Sequence, residues 1–474
     1  MSAHQTVLYI VLDVALAGVA CAADKPASLP NRYQLDFSTY LGGSDGEYLR
    51  GMDVDAKGDI YVAGTLSADG PTTPSVLQRK GGRGWVAKFS PSGALVWSTH
   101  FGDNACTVFS IKADHQGFVY VSGNNGPRLP VTAGAFQPIY GGTGNSTNQS
   151  GFVAKLKPDA SGVVWASYLG NGYSCRDMTI DDEGNLYCAL AHDAHSKFVL
   201  PEKWFARAYC KTPHGAPSGK GHFGACDCGV IKIANDGSKV LWASWLGGTG
   251  GNDWVGSVAV GPDHCPVVML NIYSTDMPTT PGAFCKTPSL SWVGKLSADG
   301  SKLLMGTYTG VKTGTPFART HNVALDPQGN IFIAFQAHDC PVTAGAFQRK
   351  CGGQDDYAIE KISPDGALLA ATFIGGRGIE INGPDHVAVD RSGNVMIVGC
   401  SSSPDYPVTS GAIQPKNGGA GGKYPFDGVV SVLSSDLSTL RYSSYIGGSG
   451  DEMARACAFG PDGSLCLGGV TTKL

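Results

Sequence analysis

The residues best suited to chemistry in this chain are arginines and histidines that return at one place in a repeated unit. Aligned on the Asp or Gly that ends an early strand of each unit, the position five residues before it reads Arg50, Phe109, Arg176, Gly256, His321, Asp385 and Arg455. The next position adds Asp177, Asn322 and His386. Long loops further on carry His192, His195, His214, His222 and His338, so seven of the eleven histidines fall into two sets of positions. Arg and His converging in a concavity suit an anionic ligand, because the guanidinium fork matches a carboxylate and imidazole exchanges a proton near neutral pH. On an acidic polysaccharide, Arg50, Arg176 or Arg455 would neutralise a uronate carboxylate and His321, His338 or His386 would remove the adjacent proton. Tyr173 or Tyr273 would then protonate the departing glycosidic oxygen, completing a β-elimination of the polysaccharide (uronate) lyase type. A second reading needs no reaction: Arg50, Arg455, Asn322, His192 and Trp254, with Tyr173, Trp204 and Tyr273, would hold a glycan or a protein. Both readings stay open at this stage.

A second cluster lies in one loop, where Cys210-Lys-Thr-Pro-His214 is followed by His222-Phe-Gly-Ala-Cys226-Asp-Cys228. Three sulfurs and two imidazoles suffice for a closed tetrahedral site holding a structural zinc, which would pin the insertion. The spacing fits no standard zinc motif, and a disulfide from Cys210 to Cys226 or Cys228 is the competing reading. Two further pairs invite bonding. Cys457 and Cys466 flank the turn Gly460-Pro-Asp-Gly463 symmetrically, and Cys340 and Cys351 would staple one loop.

The elements that must position these side chains repeat in a fixed order. An aromatic-aliphatic-Gly-Gly tag recurs as Tyr40-Leu-Gly-Gly43, Phe101-Gly-Asp103, Tyr168-Leu-Gly-Asn171, Trp245-Leu-Gly-Gly248, Tyr308-Thr-Gly310, Phe373-Ile-Gly-Gly376 and Tyr445-Ile-Gly-Gly448. Between tags come a strand ending in Asp, a tight turn such as Asp55-Ala-Lys-Gly58 or Asp390-Arg-Ser-Gly393, a second strand, a long loop and two more strands. In such turns Asp bonds the backbone ahead and Gly supplies positive φ, so these aspartates read as turn formers and not as acids at work. Third strands appear as Trp85-Val-Ala-Lys-Phe89 and Trp292-Val-Gly-Lys-Leu296, fourth strands as Leu95-Val-Trp-Ser-Thr99 and Leu241-Trp-Ala-Ser244. Four antiparallel strands cannot bury both faces alone, so the units must stack around an axis. The expectation is an all-β, seven-bladed β-propeller of four-stranded antiparallel blades. The strand Leu35 to Tyr40 has the character of a fourth strand and would close the last blade, whose third strand has no obvious sequence. Asp24 to Arg32 is one candidate for it; a three-stranded blade or a chain shortened at Leu474 are the others.

Within this frame the segments Pro130 to Gln137 and Pro341 to Gln348, reading Pro-Val-Thr-x-Gly-Ala-Phe-Gln, and a close copy at Pro407 to Gln414, resemble the bacterial SBBP-type β-propeller repeat family. Units three and four depart from it, with Cys210 and Cys285 in place of Gln. The resemblance implies the fold and an exported or cell-surface setting and says little about activity. A weaker architectural resemblance links the expected mouth of the ring to seven-bladed polysaccharide lyases, which use His, Tyr and Arg in the roles given above.

Composition agrees with many short strands: 67 glycines and 16% charged residues. A net charge of -4 with no basic cluster argues against nucleic acid as a partner. Val7 to Val19 is a short apolar core ending in Ala20-Cys21-Ala22, so residues 1–22 read as a secretory leader and 23–474 as a single propeller with repeats starting near 40, 100, 168, 245, 308, 373 and 445. Asp13 interrupts that core and no Lys or Arg precedes it. Lipid attachment at Cys21 fits less well, since Gly18 stands where a branched residue is usual. Removing Cys21 from the fourteen cysteines leaves thirteen, an odd number for an exported chain. No later stretch is long and apolar enough to span a membrane. The expected product is a secreted monomer, extracellular or periplasmic, acting on an acidic polysaccharide or another extracellular ligand.

Overall fold

The structure, a computed structural model, describes residues 5–13, 33–44, 46–141, 150–171, 173–192, 205–209, 228–248, 253–312, 323–419 and 426–472. It is built of strands, and no helix among the described residues is long and apolar enough to cross a membrane. The chain opens with β1 (Gln5–Asp13) and β2 (Gln34–Leu41). Blade one follows as β3 (Tyr48–Val54), β4 (Ile60–Thr65), β5 (Gly84–Phe89) and β6 (Leu95–Phe101). Blade two holds β7 (Thr107–Ala113), β8 (Val119–Asn125), β9 (Ser150–Leu156) and β10 (Val163–Asn171). Blade three holds β11 (Tyr173–Ile180), β12 (Leu186–His192), β13 (Phe205–Tyr209), β14 (Cys228–Ile233) and β15 (Val240–Leu246). Blade four runs through β16 (Trp254–Val260), β17 (Pro266–Asn271), β18 (Ser291–Leu296) and β19 (Leu303–Tyr308). Blade five has β20 (Val323–Leu325), β21 (Ile331–Ala337), β22 (Asp356–Ile362) and β23 (Leu368–Ile374). Blade six has β24 (Glu380–Val389), β25 (Val395–Ser401), β26 (Asp427–Leu433) and β27 (Leu440–Ile446), and β28 (Glu452–Phe459) and β29 (Leu465–Thr471) end the chain.

Six of the resulting sheets are the four-stranded antiparallel blades that the repeat implies. The remaining sheet, blade three, departs from that expectation: β13 adds a fifth strand, parallel to β15, along its outer edge. The last blade has the order β2-β1-β29-β28. The N-terminal strand Gln34–Leu41 therefore closes it as expected, but the third strand comes from Gln5–Asp13, within the segment read as a leader.

Local chemistry explains the repeat. Asp55 Oδ1 accepts the backbone N–H of Lys57 and Asp59, and Gly58 takes φ 83°, so the turn aspartates do what the sequence suggests. They also anchor the sheet above them. Tyr61, Tyr120 and Tyr187 donate their hydroxyls to Asp55, Asp114 and Asp181, and Lys155, Lys232 and Lys361 pair with Asp114, Asp181 and Asp326 at 3.6, 3.2 and 3.4 Å. Third strands such as β5, β14 and β26 are almost wholly buried on both faces. Blade joins are fastened by indoles: Trp97 Nε1 donates to the Pro158 carbonyl, Trp165 to Asn235 and Trp242 to Ala298, each on the following blade.

The two disulfides expected between described residues, Cys457–Cys466 and Cys340–Cys351, are not formed. In the last hairpin Ala458 lies opposite Cys466 and Cys457 opposite Leu467, so the two cysteines are one step out of register. Phe459 pairs with Leu465, which leaves the five residues 460–464 in the loop; the symmetric four-residue turn would have aligned the sulfurs. A one-residue shift sends adjacent side chains to opposite faces, and Cys457 and Cys466 pack into different core clusters. Cys340 and Cys351 are also free thiols, as is Cys228.

Candidate functional site

The first strands β3, β7, β11, β16, β20, β24 and β28 together line one central cavity of about 310 Å³. Met52, Ile111, Met178, Val258, Val323, Val387 and Cys457, the apolar layer implied by the alignment, all face it and are all buried. Two residues back along five of the strands the pairing slips. The registers of β3, β7, β11, β16 and β28 shift between Leu49 and Gly51, Val108 and Ser110, Cys175 and Asp177, Val255 and Ser257, and Ala454 and Ala456. The residues skipped are Arg50, Phe109, Arg176, Gly256 and Arg455, the aligned polar positions themselves. A β-bulge re-aims the extra residue out of the ladder, and on these five strands it falls on the aligned position. The partner strand makes room with glycine. A Cβ on Gly64 would meet the Tyr48 carbonyl oxygen at 1.9 Å, and one on Gly123 or Gly469 would meet Thr107 or Met453 in the same way.

The five bulges fall on consecutive blades, and four of them carry Arg455, Arg50, Phe109 and Arg176 in that order around the ring. Arg50 Cζ lies 5.8 Å and Arg176 Cζ 4.8 Å from the centre of the Phe109 ring, so one ring on the intervening blade supports both cations. Arg50 also lies 5.4 Å from the Tyr48 ring. Arg455 precedes Arg50 around the axis, is 8% exposed, and directs Nη1 at the Met453 sulfur. Asp177, next to Arg176, does not join the arc. It accepts from the Ser110 hydroxyl at 3.0 Å, the Ser257 hydroxyl and the Val258 N–H at 3.1 Å, while Val323 N–H donates to Ser257 at 2.9 Å, which ties blades two to five together. Burial pushes its carboxyl above the usual range, and the Ser257 hydroxyl and Lys112 pull against that shift.

The other sequence-derived site residues are placed as follows. His338 is exposed after β21, with Nδ1 2.5 Å from the Gln354 carbonyl. Tyr273 is 43% exposed and its N–H is held by Asp253 at 2.9 Å. Tyr173 pairs with His192 at the start of β11, Trp254 with Asn271 and His386 with Val398; only their backbones are described. His321 and Asn322 lie outside the described residues, as do Cys210, His214, His222 and Cys226 of the zinc reading. Cys228 is buried in β14 between Ala191 and Leu246. Asp181, Asp182 and His264 are close enough together to suggest a metal. Lys232 Nζ already sits 3.2 Å from Asp181, and His264 Nδ1 lies 3.2 Å from the same carboxylate, so Asp181 is partnered within the protein and the trio reads as structural.

The sequence reading missed a second constellation, which explains two of its motifs. The Gln that ends Pro-Val-Thr-x-Gly-Ala-Phe-Gln clasps the Gly-Gly tag: Gln348 Oε1 accepts the Gly375 N–H at 3.1 Å, and Nε2 donates to Asp356 at 2.7 Å and to the Lys350 carbonyl at 2.9 Å. Gln414 does the same with Gly447, Asp427 and Lys416. On the other side of the tag stands a buried acid that opens the first strand: Glu380 accepts from Ser401 and Ser403, and Glu452 from Gly448 and Thr471. The signal was the acid four or five residues after each Gly-Gly, as at Glu47, Asp253, Glu380 and Glu452.

No protein-family profile and no curated relative matches the chain. Among solved structures it is similar to Kuenenia stuttgartiensis hydrazine synthase, at 10% identity and a TM-score of 0.47 over 94% of both chains. It is also similar to a catalytically inactive virginiamycin B lyase from Staphylococcus aureus with quinupristin, at 10% identity and a TM-score of 0.43 over 90% of this chain and 95% of that one. A protein of unknown function from Bacteroides caccae gives 9% identity and a TM-score of 0.38 over 76% and 90%. Likenesses of this degree say nothing about activity. The class that the fold defines is the β-propeller.

Proposed function

We propose that the protein is an exported, carbohydrate-directed propeller that binds a carboxylate-bearing polymer across the mouth of its central channel. One observation carries this reading: bulges on neighbouring blades carry Arg455, Arg50 and Arg176, and the last two flank the Phe109 ring between them. An arc of planar cations on a rigid ring suits several carboxylates along one extended ligand, and arginine paired with carboxylate gives directional, two-bond contacts. Calorimetric titration with a polyuronate and with a neutral glucan tests it. Saturable binding of the polyuronate alone, lost in Arg50→Ala and Arg176→Ala, is the expected result. Equal or absent binding of both polymers overturns it.

The lyase reading draws on His338. A carbonyl only accepts, so Nδ1 donates to Gln354 and leaves Nε2 as the basic nitrogen. Incubation with a polyuronate panel while following the absorbance of unsaturated uronates distinguishes turnover from binding. A flat trace on polymers that bind leaves the protein a binding propeller.

A further inference from the structure

We infer that the space between β2 and β29 is a strand-acceptor site, specific for an extended apolar segment and filled in cis by Gln5–Asp13. The pairing is two-sided. Thr6, Val7, Leu8, Tyr9 and Ile10 lie opposite Leu41, Tyr40, Thr39, Ser38 and Phe37 of β2, while Gln5, Thr6, Val7 and Ile10 lie opposite Thr471, Val470, Gly469 and Cys466 of β29. In this sheet β2 has no other neighbour. Without β1, both β2 and β29 would show an open ladder edge inside the ring, the arrangement that recruits an added strand.

The segment's composition belongs in that slot. Every other third strand is covered on both faces by neighbouring blades, and a strand covered on both faces reads as a continuous run of β-branched, aromatic and aliphatic residues. Thr6-Val-Leu-Tyr-Ile-Val-Leu12 is such a run, of strand length, stopped by Asp13. The two features that sit badly with a leader, Asp13 inside the apolar core and no basic residue before it, are ordinary in a strand. The same nine residues thus serve either as an export signal or as the seventh sheet's third strand, and removal at Ala22 would leave the acceptor open.

The test uses the full chain. Tyr9→Pro removes a ladder donor from the middle of β1. The variant is expected to melt several degrees lower and to take up a fluorescein-labelled Gln5–Asp13 peptide saturably, while the unaltered chain excludes it. An unchanged melt with no uptake overturns the inference. Should the variant fail to fold, hydrogen exchange on the unaltered chain decides, because β2 amides have only β1 as a ladder partner. Slow exchange at the alternate amides of 34–41 that face β1 supports the assignment, and exchange of those amides at the rate of an open strand overturns it. Intact mass of exported protein adds a third measurement. A chain that begins after Ala22 should bind the peptide without any substitution, and one that begins there yet protects its β2 amides unaided overturns the acceptor.

Discussion

The carboxyl groups of Asp356 and Glu380 lie against each other over the α-carbon of Gly375, with no solvent exposure at either residue. A Cβ built on Gly375 would stand 2.5 Å from Asp356 Oδ1 and 2.6 Å from Glu380 Oε2, and neither of those oxygens has another donor among the described residues. Two anions so close repel each other, which favours the protonated form of Glu380.

Burial, opposed by the Ser401 and Ser403 hydroxyls and reinforced by Asp356, pushes Glu380 up to about 7. The folded protein therefore holds a proton that the unfolded chain gives up near the ordinary glutamate value. Stability from this pair is present at pH 4 to 5, declines as pH rises towards 7 and is flat above it, by about 3 kcal/mol at most. Glu380→Gln keeps an acceptor for the serines and gives Asp356 a permanent donor. Thermal melts at pH 5 and pH 8 should show the variant less sensitive to pH than the native chain, and equal sensitivity would rule out a proton held by Glu380.

Glu360 is a simpler liability. It is fully buried in the third strand of blade five, both its oxygens lack a hydrogen-bond partner among the described residues, and burial raises its carboxyl well above the usual range. Ala358 and Glu360 together stand where Trp85 and Ala87 stand in blade one. Glu360→Met should raise stability by about 1 to 3 kcal/mol in urea unfolding, since an unpaired buried polar group costs that much. A loss of stability would mean that the carboxyl has a partner the structure does not display.

Gly64 permits the bulge that aims Arg50. Gly64→Ala forces its methyl against the Tyr48 carbonyl. Binding of a polyuronate should fall roughly as far as in Arg50→Ala, about tenfold for a lost charged contact of about 1.4 kcal/mol. Unaltered affinity in a folded variant would separate the bulge from the site.

Phe109 positions two cations and touches no proposed charge on the ligand. Phe109→Leu should weaken polyuronate affinity several-fold while the melting temperature moves little, because cation–ring contacts of this exposure are worth about 0.5 to 1 kcal/mol each. Phe109→Tyr should retain affinity, and failure of that rescue would assign the effect to packing.

Much of this was legible in sequence because propeller strands carry local signals. The Asp-to-Gly turns fix where each first strand ends, so counting back five residues found Arg50, Arg176 and Arg455 without knowledge of the bulges that expose them. Asp177 could not be sorted in that way, since its partners Ser110 and Ser257 come from the blades on either side. The Cys457 and Cys466 expectation failed on a loop one residue longer than its turn motif suggests. Glu360 gave no warning, for an acid beside Lys361 in an alternating strand reads as solvent-facing. Gln5–Asp13 was masked by its own composition, which suits a leader and a doubly covered strand equally.

The indole bonds between blades run in one direction and stop partway. Trp97, Trp165 and Trp242 each hook the next blade, but blade four offers Met305 and blade five Ala370 at the matching place. Beyond them other groups take over: Phe284 N–H donates to the Gly366 carbonyl between blades four and five, and Tyr357 and Lys361 bond Cys400 and Ser435 between blades five and six. The indole hooks therefore fasten the very joins across which Arg50, Phe109 and Arg176 face one another, so the spacing of the two guanidinium groups is set by Trp97 and Trp165 on the outer side of the sheets.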